Sequence, residues 1–438
     1  MKLEEIELIS LIDYSKDGEW GKGYDYGDAV EMYVIRGTDF QEVKEGVYDK
    51  LPVRWISRQI AERKKLKEGD VLIELAGGTE DNPTGRTCYI SKDFINNSDK
   101  PLTVASFSRF IRLDTSKCNS RYIYWLLQYL YKYRILKKYH TQHTGTARFQ
   151  WTHFANREKL AVHPFKYQRK IASILSAYDE LIENNKQRIK LLEEMAEEIY
   201  KEWFVRMRFP GYESAKFYNE EGKEVPYGTG GAIPEGWKCS SIGNISYNFD
   251  SKRRPLSSTV REQIKGKYPY YGAAKIIDRI NKFIFDGKFL LIAEDGSVIT
   301  KEGYPVLQFV NEKFWVSNHA HILQGIAPIS SEYLFLSLKN YPIIGLVTGA
   351  AQPKINQENL NRIIILNPKK DICEKFNKII IPFFDKVKLL GDTNIILQQT
   401  RDLLLPRLIS GKLSVEHLLK EEENLSMAAE PISEYGNN

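Results

Sequence analysis

The chain states one architectural unit twice. Ser120-Arg-Tyr-Ile-Tyr-Trp-Leu-Leu127 returns as Ser331-Glu-Tyr-Leu-Phe-Leu-Ser-Leu338, and Thr144-Gly-Thr-Ala147 returns as Thr348-Gly-Ala-Ala351. Pro164 and Pro368 each stand twenty positions beyond the threonine of their copy, and a long helical pattern begins just after each. Two copies of such a unit imply two similar heads, each carried by a similar rod. The order head, rod, head, rod lets the rods lie side by side and antiparallel; pairing of each rod with a second chain is the alternative. A duplication of this kind suits the reading of two separated places on one long ligand. It suits a single catalytic pocket poorly.

Charge points to the nature of that ligand. Residues 1–50 hold 6 Lys/Arg against 13 Asp/Glu, whereas residues 101–170 hold 14 against 2 and residues 251–288 hold 10 against 3. Each head therefore carries a basic stretch, the electrostatic footprint of a polyanion binder. With 438 residues, 42% of them apolar and 12% aromatic, the chain is long enough for several domains with cores of their own. Cys88, Cys118, Cys239 and Cys373 are scattered without a Cys-x-x-Cys pair, which argues for reduced thiols and against a zinc ribbon. The acidic start does not read as a signal peptide, and no run reaches the ~18 apolar residues a membrane span needs. A cytoplasmic location is the expectation.

The pattern divides the chain into a strand-rich head over 1–164, a rod over 165–204, a linker over 205–232, a second head over 233–368, a second rod over 369–412 and a polar tail over 413–438, read as disordered. Met32–Arg36, Asp70–Leu75, Phe107–Arg112, Phe289–Ala293 and Lys313–Ser317 read as strands, and Arg121–Tyr139 as a helix. In the first rod Ile171, Leu175, Tyr178, Ile182, Asn185, Ile189, Leu192, Ala196, Ile199 and Trp203 alternate spacings of four and three, a coiled-coil seam. Its 33 residues would extend about 50 Å at the rise of an α-helix. Asn185 reads either as a register device or as a tolerated polar defect. The second seam (Ile372, Phe376, Ile379, Phe383, Leu390, Leu397, Leu404) is poorer, and Pro382 and Gly391 predict a kink or a break into two helices.

Chemistry is conspicuous by its gaps. The sequence has no Gly-x4-Gly-Lys-Ser/Thr phosphate loop, no Asn/Asp-Pro-Pro-Tyr/Phe and no Gly-x-Gly-x-x-Gly after a strand. His319-Ala-His321 near Glu294-Asp295 lacks a third ligand at a recognisable spacing, so no metal is assigned. The pattern is that of a binder. Candidate nucleic-acid contacts in the first head are Gly77, Gly78, Thr79, Asn82, Arg86, Thr144, Arg148 and Gln150. In the second they are Arg253, Arg254, Tyr271, Lys275, Asn318, His319 and Lys354. Arg and Lys suit phosphate or guanine, Asn and Gln suit adenine, and glycine admits close backbone approach.

Several segments together resemble the specificity subunits of type I restriction–modification systems. They are Tyr167-Gln-Arg-Lys-Ile-Ala-Ser-Ile-Leu-Ser-Ala-Tyr-Asp-Glu-Leu-Ile-Glu-Asn-Asn185, Leu403-Leu-Leu-Pro-Arg-Leu-Ile-Ser-Gly411, Ile233-Pro-Glu-Gly-Trp237, Gly287-Lys-Phe-Leu-Leu-Ile-Ala-Glu-Asp-Gly296 and Phe314-Trp-Val-Ser-Asn-His-Ala-His321. The resemblance covers essentially the whole length. It implies an α+β fold: two similar target-recognition domains separated by two long helices packed as an antiparallel coiled coil, with pseudo-two-fold symmetry. It implies a non-catalytic subunit that binds double-stranded DNA, each domain reading half of a split target. The helices would set the spacing and dock modification and restriction subunits, which carry S-adenosylmethionine and ATP; no cofactor is expected on this chain. The competing reading is a coiled-coil scaffold that organises partners without sequence-specific DNA binding.

Overall fold

The structure is a computed structural model that describes residues 3–79, 82–142, 147–349 and 352–429. It divides into two compact units, Met1–Asn184 with Asn394–Asn438, and Asn185–Thr393.

In the first unit an antiparallel sheet runs in the order Ile12–Asp17, Ser108–Leu113, Val71–Glu74, Thr87–Tyr89. Beside it Ala29–Ile35 pairs antiparallel with Val53–Ser57 and parallel with Leu102–Val104. In the second unit a six-stranded sheet runs Ser246–Asn248, Ala320–Gly325, Phe285–Ala293, Leu307–Val316, Lys265–Tyr271, Ile276–Ile280. Its first four strands repeat the order and antiparallel sense of the first unit's sheet. Lys265–Tyr271 then pairs antiparallel on one side and parallel on the other, as Ala29–Ile35 does. A two-stranded ribbon also recurs, Glu4–Glu7 with Lys159–Val162 and Lys238–Ser241 with Ile364–Asn367. The duplicated words are thus a duplicated topology.

The repeated octapeptides become helices Ser120–Lys132 and Ser331–Lys339. Asn119 Oδ1 accepts from Tyr122 N at 2.9 Å, and Ser330 Oγ accepts from Tyr333 N at 3.1 Å, so each helix has a side-chain N-cap. The first helix is shorter than the expected Arg121–Tyr139: Arg134 adopts φ 57°, and a 3-10 turn over Ile135–Tyr139 follows. Tyr122 and Tyr333 are fully buried beneath these caps.

The rods are helices Phe165–Tyr200, extended by a π turn over Lys201–Val205, and Lys370–Ile409. In the first unit Ile171, Ala172 and Leu175, from the start of the first rod, share a core with Leu405, Leu408 and Ile409, from the end of the second. In the second unit Ala196, Trp203 and Phe204, from the end of the first rod, share a core with Ile372, Phe376 and Ile380, from the start of the second. Start packs against end in both units, so the pairing is antiparallel. Of the expected seam, Ile171, Leu175, Ile182, Asn185 and Leu390 are buried, and Tyr178, Ile189, Leu192, Ile199, Leu397 and Leu404 are half-buried.

Four expectations need correction. Ile379 is 38% exposed and Ile380 is buried in its place. There the helix packs on the head as well as on its partner, so the 3.6-residue period of Ile372, Phe376 and Ile380 selects the face, not a heptad. Pro382 and Gly391 do not break the second rod, which is one 40-residue helix. Ring contacts of Phe376 with Phe204 (4.8 Å) and of Phe384 with Phe309 (4.7 Å) bracket Pro382 and outweigh its helix-breaking tendency of roughly 3 kcal/mol. The linker folds: Phe217–Tyr218 pairs with Glu224–Val225 and Ile233–Pro234, and Phe209 packs on Trp237 at 4.7 Å. The tail forms helix Glu416–Ala429, led in by buried Val415, with Leu418 against the first core. Residues 430–438 lie outside the described residues.

Candidate nucleic-acid interface

The two heads build the same backbone frame at one end of the sheet. In the first, Leu75 N donates to Phe107 O (2.8 Å), Phe149 N donates to Leu75 O (2.8 Å), and Ala76 bridges Arg148. In the second, Glu294 N donates to His319 O (2.9 Å), Ile355 N donates to Glu294 O (3.0 Å), and Asp295 bridges Lys354. The register agrees, since Glu74 faces Ser108 and Ala293 faces Ala320. Three segments therefore meet in each head: the loop after the central strand, the turn before its neighbour, and the segment that follows the Thr-Gly signal, a strand at Ala147–Phe149 in the first head and an isolated bridge at Lys354 in the second. Gly77 (φ 107°) and Gly296 (φ 76°) open the first of these loops in a conformation that glycine alone adopts easily.

The expected contact residues distribute unevenly over this frame. Gly77, Thr79, Asn82 and Arg148 are exposed on it. Thr79 N donates to Asn82 O (2.8 Å) and Asn82 N to Thr79 Oγ1 (3.1 Å), which ties the two residues together. At Gly78 a Cβ would lie 2.5 Å from Thr84 N, so the backbone admits no side chain there. Gln150 is exposed just before helix Trp151–Arg157. Thr144 lies outside the described residues. Arg86 points inward: its guanidinium grips Glu74, a nearly buried carboxylate, at 2.9 and 2.5 Å.

In the second head Asn318, His319 and Lys354 are exposed on the frame. Lys275 is exposed on the turn after Tyr271, which leaves the sheet at the same end, since Ser317 N donates to Tyr271 O (2.9 Å). Arg254 is exposed, with its carbonyl accepting from Trp315 Nε1 (2.6 Å). Arg253 turns inward, its side chain 16% exposed, bonding Glu294, Ala320 O (3.0 Å) and Asn318 O (3.2 Å). Tyr271 is buried, and its hydroxyl donates to Glu312 (2.9 Å). Tyr271 thus departs from the surface position expected of it, because its ring fills the core against Phe314.

Beneath the frame of the second head lies a charged cluster. Asp250, Glu294 and His321 offer ligand atoms within 4.8 Å of one another, the one such grouping among the described residues. Asp250 supplies the third member that sequence spacing did not reveal. These groups already serve one another: Glu294 accepts from Arg253 and from Lys354 Nζ (3.1 Å), while His321 faces Asp250 Oδ2 (2.6 Å) and Ile355 O (2.9 Å). A carbonyl at one ring nitrogen and a carboxylate at the other favour the imidazolium. Burial opposes that charge, but Asp250 and the Ile355 carbonyl outweigh it and hold the His321 pKa above the ordinary histidine range. Burial likewise works against ionised Asp250, and His321 outweighs it, so the Asp250 pKa is lowered. The cluster is an internal ion network that ties Asp250, the end of strand Phe285–Ala293 and the Lys354–Ile355 segment together.

Sequence reasoning missed Phe107. Its ring is 66% exposed on the frame of the first head. Read as part of a strand, Phe107 gave no signal of this, and only the register with Glu74 places it at the turn.

A family model described as the type I restriction modification DNA specificity domain matches residues 56–194 and 234–399, one match to each copy of the unit. The type I restriction enzyme MjaIX specificity subunit of Methanocaldococcus jannaschii is 27% identical over 320 residues, covering 68% of this chain and 70% of that protein. A putative type I restriction enzyme specificity subunit of Haemophilus influenzae, S.HindORF215P, is 33% identical over 145 residues, 33% of this chain and 36% of its own length. Among solved structures, the type I restriction–modification S subunit from M. genitalium aligns with a TM-score of 0.59 at 15% identity, over 93% of this chain and 96% of that one. That likeness bears on the fold.

Proposed function

The chain belongs to the type I restriction–modification DNA specificity family, and from that premise we propose that each of its heads reads one half of a split duplex target. As a member of that family it is a DNA-recognition subunit and not itself a catalyst. The observation that carries the division of labour is the repeated frame, with the same strand order and the same backbone hydrogen bonds in both heads. The basic stretches over 101–170 and 251–288 supply the attraction to phosphate. Exposed Asn82, Arg148, Gln150, Lys275, Asn318, His319 and Lys354 are the groups assigned to DNA in this reading. Arg86 and Arg253, paired with Glu74 and Glu294, hold the frame.

The antiparallel helices fix the gap between the half-sites and dock two kinds of partner, methyltransferase (modification) subunits and restriction/translocase subunits. S-adenosylmethionine and ATP are assigned to those partners. The assembly acts in the cytoplasm; among the described residues no helix is long and apolar enough to cross a membrane. The test is binding of the chain, assembled with its modification subunits, to duplexes of varied sequence across a salt series. Selective binding of one split sequence with a steep salt dependence is expected. Assembly with partners but equal affinity for all sequences would favour the scaffold.

A further inference from the structure

The two frames place an exposed ring at one equivalent position. Phe107 and His319 each give their carbonyl to the first residue after the central strand, and each directly precedes the strand residue that faces the central strand's end. Phe107 is fixed in place, because its carbonyl also accepts from Ala76 N (3.2 Å) and Ser108 N donates to Ala105 O (2.9 Å). The turn so held presents a phenyl ring to water within a basic stretch, on the same backbone frame that carries exposed Arg148 through Ala76. In the second head Asp295 bonds His319 Nδ1 through both oxygens, at 2.8 and 2.9 Å. The carboxylate can accept the Nδ1 proton, and Nε2 has no partner among the described residues.

We propose that Phe107 and His319 are matched specificity-determining residues, one for each half of the DNA target. Phe107 can neither donate nor accept, so it recognises an apolar feature of a base edge, the thymine methyl of the major groove. His319, as the neutral imidazole protonated at Nδ1 toward Asp295, presents Nε2 as an acceptor for an amino group, that of cytosine or adenine in the same groove. Asp295 positions the ring and fixes its tautomer. The inference rests on the reading of the heads as DNA readers.

Selection from randomised duplexes by the chain assembled with its modification subunits tests it, using wild type, Phe107→Ala, Phe107→Leu and His319→Ala. Wild type is expected to select a split sequence. Phe107→Ala should lose about tenfold preference at one base pair of one half-site, the cost of a single mismatch, while Phe107→Leu keeps most of it. His319→Ala should do the same at one base pair of the other half-site only. If wild type selects a split sequence and the alanine variants select it with undiminished preference, the inference fails while the DNA-reading function stands. If both Phe107 variants lose all binding alike, Phe107 supports the fold and the inference also fails. If wild type selects no sequence, the function falls and takes the inference with it.

Discussion

Glu294→Ala removes the anchor of the second head's frame. The carboxylate is 12% exposed and neutralises Arg253, 16% exposed, and Lys354, 48% exposed. Lys354 sits largely in water, so its pairing contributes little. Arg253 is different: truncation of Glu294 leaves a guanidinium buried without its main counter-charge, a change that costs about 3–5 kcal/mol at buried pairs. Arg253 keeps the carbonyls of Ala320 and Asn318, with the Asp250 carboxylate 3.7 Å away, which places the loss at the lower end, about 3 kcal/mol. For a unit of roughly two hundred residues this lowers its melting transition by about 6–12 °C. Glu294→Gln keeps an acceptor and should lose about half as much. Calorimetry gives the transition, and hydrogen exchange of Phe285–Ala293 and Ala320–Gly325 localises it. A loss below about 1 kcal/mol for Glu294→Ala would refute the view that this pair holds the frame.

Phe376→Ala, which deletes a fully buried ring among Trp203, Phe204 and Tyr333, should cost about 3–5 kcal/mol in the second unit, read by denaturant unfolding. Asn119→Ala and Ser330→Ala should each cost about 1 kcal/mol in local helix stability, seen as faster exchange of the Tyr122 and Tyr333 amides; unequal effects would argue against equivalent caps. The His321 pKa is raised in the folded state, so its contribution is complete below the unfolded value near 6.5 and is lost as pH rises through the folded value. Asp250, with its pKa lowered, stays ionised throughout that range. Melting of the second unit should therefore fall as pH rises above about 6.5, and His321→Gln should flatten that slope.

The architecture was legible wherever the chain repeats itself. The octapeptides at Ser120 and Ser331, the prolines at 164 and 368 and the rod periodicity marked two similar heads and paired rods, which take the form of one sheet order built twice and of antiparallel helices. Illegible features depend on partners distant in sequence. Ile380 displaces Ile379 because the head lies against that face; Pro382 is carried through by aromatic contacts on both sides of it. The segment over 205–232 read only as a linker and the tail as polar, yet a few anchors (Phe209, Phe217, Trp237, Val415) suffice to order them. Within the candidate site, the exposure of Gly77, Thr79 and Asn82 was legible from turn chemistry. The inward turn of Arg86 and Arg253 was not, because nothing local announces that Glu74 or Glu294 waits across the fold. Phe107 escaped for the opposite reason, since an aromatic in a strand pattern reads as core.

The most direct test of the central claim is a map of methylated motifs in the host genome with and without this chain. A bipartite motif with a fixed gap, present with the chain and lost on its deletion, is the predicted result. A motif that persists without the chain, or one that is continuous, would contradict a subunit that reads two half-sites with two like heads.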